Sequence, residues 1–70
     1  MVMNQDTFNM ELRKFLKKVG INSQREIENA VRSALERGNL SGAEKLDACV
    51  HLQVDGIGLS CEIRGTIALE

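Results

Sequence analysis

Cys49 and His51 stand two residues apart in LDACVHLQV, a stretch whose apolar residues alternate strictly. Residues two apart on a strand share a face, so the thiol and the imidazole would be neighbours. A second alternating run follows, and Glu62 within it falls opposite one of the two. A two-residue Asp55-Gly56 turn pairs Val54 with Ile57 and sets Asp47 against Arg64. A turn at Gly56-Ile57 pairs Val54 with Leu59 and sets His51 against Glu62. A nucleophile, a base and an orienting carboxylate would then be at hand. The setting opposes that chemistry, because an open polar sheet face offers no pocket, no exclusion of water and no helix terminus to depress a thiol pKa. No enzymatic activity is expected. Zinc requires four ligands and Cys61 falls on the opposite face, so neither a metal site nor a cofactor is expected. The opposed faces also disfavour a Cys49–Cys61 disulfide, and Cys61 reads as a small core residue. Asp55, Gly56 and Gly58 precede no helix and read as turn chemistry, not a phosphate loop.

The other chemically suggestive run is RKFLKKVGINSQREIE, residues 13–28, with four cations in six residues followed by a glycine and an S-x-x-E capping box at Ser23 and Glu26. This order suggests a helix-turn-helix whose second helix would enter a major groove. The spacing is poor. Leu16 and Glu26 stand where such motifs want a small residue and a β-branched apolar one, and Glu26 and Glu28 beside Arg25 would repel phosphate. A solvated basic face is the preferred reading, with Met10, Arg13, Lys14, Lys17, Lys18 and Arg25 as the candidate contacts for a partner or for nucleic acid. Further along, Glu28, Arg32 and Glu36 are spaced for exposed ion pairs.

The chain has 70 residues and a formal net charge of −1, which argues against a general nucleic-acid binder. The basic excess is confined to the first 20 residues, where Arg13, Lys14, Lys17 and Lys18 outnumber Asp6 and Glu11. The beginning, MVMNQDTF, lacks the basic segment and apolar run of a secretory signal, and no stretch approaches the roughly 20 apolar residues needed to cross a bilayer. A cytoplasmic setting without membrane contact is therefore expected. Lying on a membrane would require Phe8, Leu12, Phe15 and Leu16 to leave the core that needs them.

The elements that must position these residues follow from periodicity. Phe8, Leu12, Phe15, Leu16 and Val19 recur at helical spacing behind a cap at Asn4, and Gly20 suggests a stop, giving a helix over about 5–19. Ser23 opens a second helix over about 24–37, with Ile27, Ala30, Val31, Ala34 and Leu35 apolar and Gly38 closing it. Strands are expected at about 45–54 and 57–68. The predicted fold is α+β, one domain over residues 1–70, with two amino-terminal helices packed on one face of a carboxyl-terminal antiparallel β-hairpin (ααββ).

A length comparison gives that fold a consequence. Ile57 to Leu69 extends about 43 Å, whereas a fifteen-residue helix covers about 22 Å, so the hairpin should overhang its cover. Exposed apolar faces and unpaired edges invite association. A homodimer whose hairpins pair edge to edge or interlock is expected, with Ile57, Leu59, Ile63, Ile67 and Leu69 as its candidate interface.

Residues 9–35, with Asn9-Met10, Arg13-Lys14-Phe15-Leu16-Lys17, Val19-Gly20 and Ser23-Gln24-Arg25-Glu26-Ile27-Glu28, resemble a family of short bacterial proteins classed as a domain of unknown function. The resemblance implies a stand-alone bacterial protein and carries no activity, ligand or catalytic residue. The expected role is a small cytoplasmic protein-interaction module, homodimeric and open to a further protein partner. The alternative is a helix-turn-helix-like nucleic-acid binder.

Overall fold

The computed structural model describes residues 2–70. Helix α1 runs unbroken from Gln5 to Glu36, strand β1 from Lys45 to Val54 and strand β2 from Leu59 to Ala68, with a single 3-10 turn at Asp55–Ile57 between the strands.

The α+β class is as expected, but the two predicted helices, 5–19 and 24–37, are one helix of 32 residues. Gly20 does not end it: its φ is not positive, and an added Cβ would meet nothing within 4 Å. Ser23 is half-buried within the helix and caps nothing there. Phase explains the continuity. The stripe Phe8, Leu12, Phe15, Leu16, Val19 passes through Ser23 to Ile27, Ala30, Val31 and Ala34 at intervals of three and four, so an uninterrupted helix keeps one apolar side. Holding a glycine inside a helix costs about 1 kcal/mol. A break would forfeit several main-chain hydrogen bonds and leave further helix ends to be capped. No proline enforces one.

The true ends carry the expected chemistry. Asn4 is extended, and its Oδ1 accepts the Thr7 N–H at 3.1 Å. At the other end Gly38 adopts φ +77°, its N–H bonds to the Leu35 carbonyl at 3.1 Å, and the Asn39 N–H reaches the Ala34 carbonyl at 2.9 Å. That pair of bonds is a Schellman closure. The expected Glu28–Arg32–Glu36 ion pairs are not made. Glu28 accepts from the Gln24 side-chain amide at 2.8 Å, and Arg32 donates to the Asn29 side chain at 3.4 Å.

The strands pair one for one from Lys45 with Ala68 to Val54 with Leu59, which decides between the two registers the sequence allowed. Ile57 belongs to the connection, so β2 begins two residues later than expected. Gly58 closes the connection at φ +63°, with its N–H bonded to the Asp55 carbonyl at 3.2 Å. Opposed residues share a face. Leu46, Ala48, Val50, Leu52 and Val54 therefore lie with Ile67, Gly65, Ile63, Cys61 and Leu59 on the apolar side.

The helix lies along that side. Ile27, Val31 and Leu35 approach Ile67 and Leu69 at the open end of the hairpin, and Phe8, Leu12, Phe15 and Leu16 face its tip. The expected overhang is reversed. The helix is about 48 Å long at 1.5 Å per residue, and each ten-residue strand covers about 33 Å at 3.3 Å per residue. The molecule measures 56 × 20 × 18 Å, and none of its described residues is buried. Val19, Val31, Ala34, Leu46, Ala48, Leu52, Cys61 and Ile67 are half-buried between helix and hairpin.

The continuous helix makes a direct prediction. Gly20→Ala should raise stability by about 0.5–1 kcal/mol, read as a higher urea midpoint, because alanine fits a helical φ and restricts the unfolded chain. A comparable loss of stability would mean that Gly20 is a left-handed helix terminus.

Candidate functional site

Among the residues singled out for chemistry, the polar sheet face places Cys49 and His51 side by side on β1, with Arg64 opposite Cys49 and Glu62 opposite His51. The charges are otherwise engaged. Glu62 accepts from Arg64 Nη2 at 2.7 Å, and the His51 Nε2 lies 3.3 Å from Ser60 Oγ. The carboxylate thus serves an arginine on its own strand, and the imidazole faces a hydroxyl. Both members of the ion pair are largely solvent-exposed, at 74% and 50%, so their attraction is screened and contributes little. Cys49 and Cys61 are free thiols on opposite faces, the first exposed and the second half-buried under the helix. Among the described residues no group of three His, Cys, Asp or Glu side chains is placed to hold a metal ion.

The basic run presents a different surface. Met10, Arg13, Lys14, Lys17, Lys18 and Arg25 are all exposed on α1. Because the helix continues through residues 20–23, the turn that the alternative helix-turn-helix reading requires does not form, and its recognition helix is the second half of the same rod. Continuity adds a residue that falls between the two predicted helices. Ile21, 50% exposed, stands four residues after Lys17 and four before Arg25, on the side of the helix that carries Met10, which is 68% exposed. The i, i+4 spacing was visible in the sequence, and the assumed turn at Gly20 concealed it.

An apolar concave surface lies between the helix and the hairpin tip. Phe8, Leu12, Phe15 and Leu16 from the helix, with Leu52, Val54, Ile57 and Leu59 from the hairpin tip, line an open groove of about 630 Å³. Two of the five candidate interface residues, Ile57 and Leu59, lie in it. Ile63 projects from the middle of β2 and is 56% exposed, while Ile67 and Leu69 are half-covered by the carboxyl-terminal end of the helix. The spacing of the four helix residues of this groove predicts a core, yet each remains 40–50% exposed.

A family model described as a family of unknown function (DUF6494) matches residues 3–70. The chain belongs to that family. The match extends the resemblance of the helical run through both strands. No curated protein and no solved structure matches the chain. Among the described residues, no helix is long and apolar enough to cross a membrane.

Glu44 accepts the Ser41 N–H at 2.8 Å and the Gly42 N–H at 2.9 Å, and these donors hold its pKa below the usual glutamate value. Its carbonyl also accepts the Leu69 N–H at 3.0 Å, so the residue ties the loop after α1 to the open end of the hairpin. A depressed folded-state pKa stabilises above the unfolded value, and that contribution is lost as pH falls through the folded value. A carboxyl titration by NMR should place Glu44 below the usual glutamate value, with the Ser41 and Gly42 amides shifting in step. Glu44→Gln should abolish that amide titration. An ordinary midpoint for Glu44 would contradict the geometry.

Proposed function

We propose that the protein is a small cytoplasmic protein-interaction module that works as a homodimer, a second copy covering the apolar groove and the exposed part of the hairpin face. The observation that carries this reading is surface area. A folded monomer of 7.8 kDa is expected to expose about 4,400 Å² and this chain exposes 6290 Å², an excess of about 1,900 Å². Its radius of gyration is 16.6 Å where about 11 Å is usual for this length. Two such excesses together fall within the roughly 2,000–5,000 Å² of obligate homodimer interfaces. A second copy is favoured over an unrelated partner because a two-fold contact satisfies both surpluses at once. Two cysteines that cannot bond to each other suit a reducing compartment. The face bearing Met10, Arg13, Lys14, Lys17 and Lys18 stays outside the dimer and is the surface offered to a further protein. The reading gives Cys49 and His51 no catalytic part.

Sedimentation equilibrium at tens of micromolar should return about twice the 7.8 kDa chain mass. A monomer at that concentration would overturn the proposal.

A second reading has one observation in its favour: the exposed cations of α1 form no ion pair among the described residues. Such a face would grip phosphate without reading sequence. Titration with duplex DNA and single-stranded RNA decides it, since phosphate binding must weaken steeply as salt rises. The homodimer reading predicts no measurable complex at physiological salt.

A further inference from the structure

We infer that the two copies join edge to edge through β2, antiparallel and centred on Ile63, so that two hairpins become one four-stranded sheet. This rests on the homodimer reading and specifies its contact. Both outer edges of the two-stranded sheet are unpaired. An open edge is commonly blunted by proline, by lysine or by a bulge. Strand β2, LSCEIRGTIA, has no proline and no lysine, and its one-for-one pairing with β1 leaves no bulge.

Its sequence is complementary to its own reverse. With Ile63 on the two-fold axis, Glu62 faces the partner's Arg64, and Leu59 faces the partner's Ile67. Opposite charges therefore meet on the polar side while apolar residues meet on the other, at every position where the order matters. Glu62 and Arg64 already sit 2.7 Å apart on one strand. The two-fold would complete a square of alternating charge. Ile63, the most exposed of the large apolar side chains within the strands, would be covered by its own counterpart.

Strand β1 lacks this property. Self-pairing along its full length, centred on Cys49 or Val50, sets Asp47 against His51 or Gln53, and no two opposite full charges meet within the strand. Lys45 also guards one end of that edge.

The helices fit the same arrangement. Two strands about 4.8 Å apart are roughly as wide as one helix of about 10 Å diameter. Doubling the sheet thus places two antiparallel helices side by side on its apolar side, each closing the other's flank.

The test is a pair of charge reversals. Glu62→Arg alone and Arg64→Glu alone each set like charges against each other twice per dimer, and each should raise the dimer dissociation constant roughly tenfold or more. Mixing the two variants should restore a mixed dimer of near wild-type affinity, seen by native mass spectrometry, because every facing pair is again of opposite sign. Circular dichroism establishes that each variant keeps its helix. If either variant is misfolded, Ile63→Cys in a Cys49→Ser, Cys61→Ser background provides the second measurement. Mild oxidation should then link the copies, since facing antiparallel residues lie within disulfide reach. Variants as dimeric as the wild type, a mixture without rescue, or absence of the Ile63→Cys link would overturn this contact while leaving the homodimer in place. A monomeric wild type would overturn the homodimer itself.

Discussion

Full burial of a large apolar side chain is worth about 1.5–3 kcal/mol, and none of the described residues of this chain reaches that state. The apolar stripe of the helix and the apolar side of the hairpin face each other, but one helix and two strands are too few to enclose anything between them. The half-buried apolar residues of the helix and the strands lie on this single seam. The seam sets the hairpin register, because a slip by one residue would turn Leu46, Val50 and Leu52 outward. It also keeps α1 unbroken through Gly20, because a break would carry half the stripe off the sheet. A layer of this thickness acquires an interior only when something closes its open sides.

Local chemistry was the part most legible in the sequence. Asn4 caps, Gly38 stops, and the alternation from Leu46 to Val54 and from Ile57 onward marks strands, the second of which starts two residues later than its pattern, because each signal acts within a few residues of itself. Gly20 and the Ser23–Glu26 pair were local signals too, and they misled. A capping box is an option that the chain uses only when the helix has reason to begin there, and here an intact stripe outweighed it. The stripe was also in the sequence, but weighing it against a glycine requires knowing what the helix packs on. Once the two helices became one, the length argument changed sign and the long element became the helix. The conclusion drawn from length, that apolar surface is left over, persists through that reversal because it depends on composition and layer count.

The chemically suggestive residues illustrate a different limit. Periodicity placed Cys49, His51 and Glu62 on one face, and the observed register brings Glu62 opposite His51. Their partners follow from side-chain geometry that periodicity does not carry: Glu62 turns along its own strand to Arg64, and His51 meets Ser60. The apolar groove at the hairpin tip was hidden for a related reason. Phe8, Leu12, Phe15 and Leu16 have the spacing of core residues, and only the structure shows that the core they belong to is incomplete.

If closure of that core comes from a second copy, folding and association are one equilibrium, and stability must depend on protein concentration. Urea unfolding followed by helix signal over a hundredfold range of concentration tests this most directly. The account predicts one cooperative transition whose midpoint rises by about 0.5–1 M for each tenfold increase. A cooperative transition with the same midpoint at every concentration would show that a single chain is stable with its apolar seam open, and would contradict it.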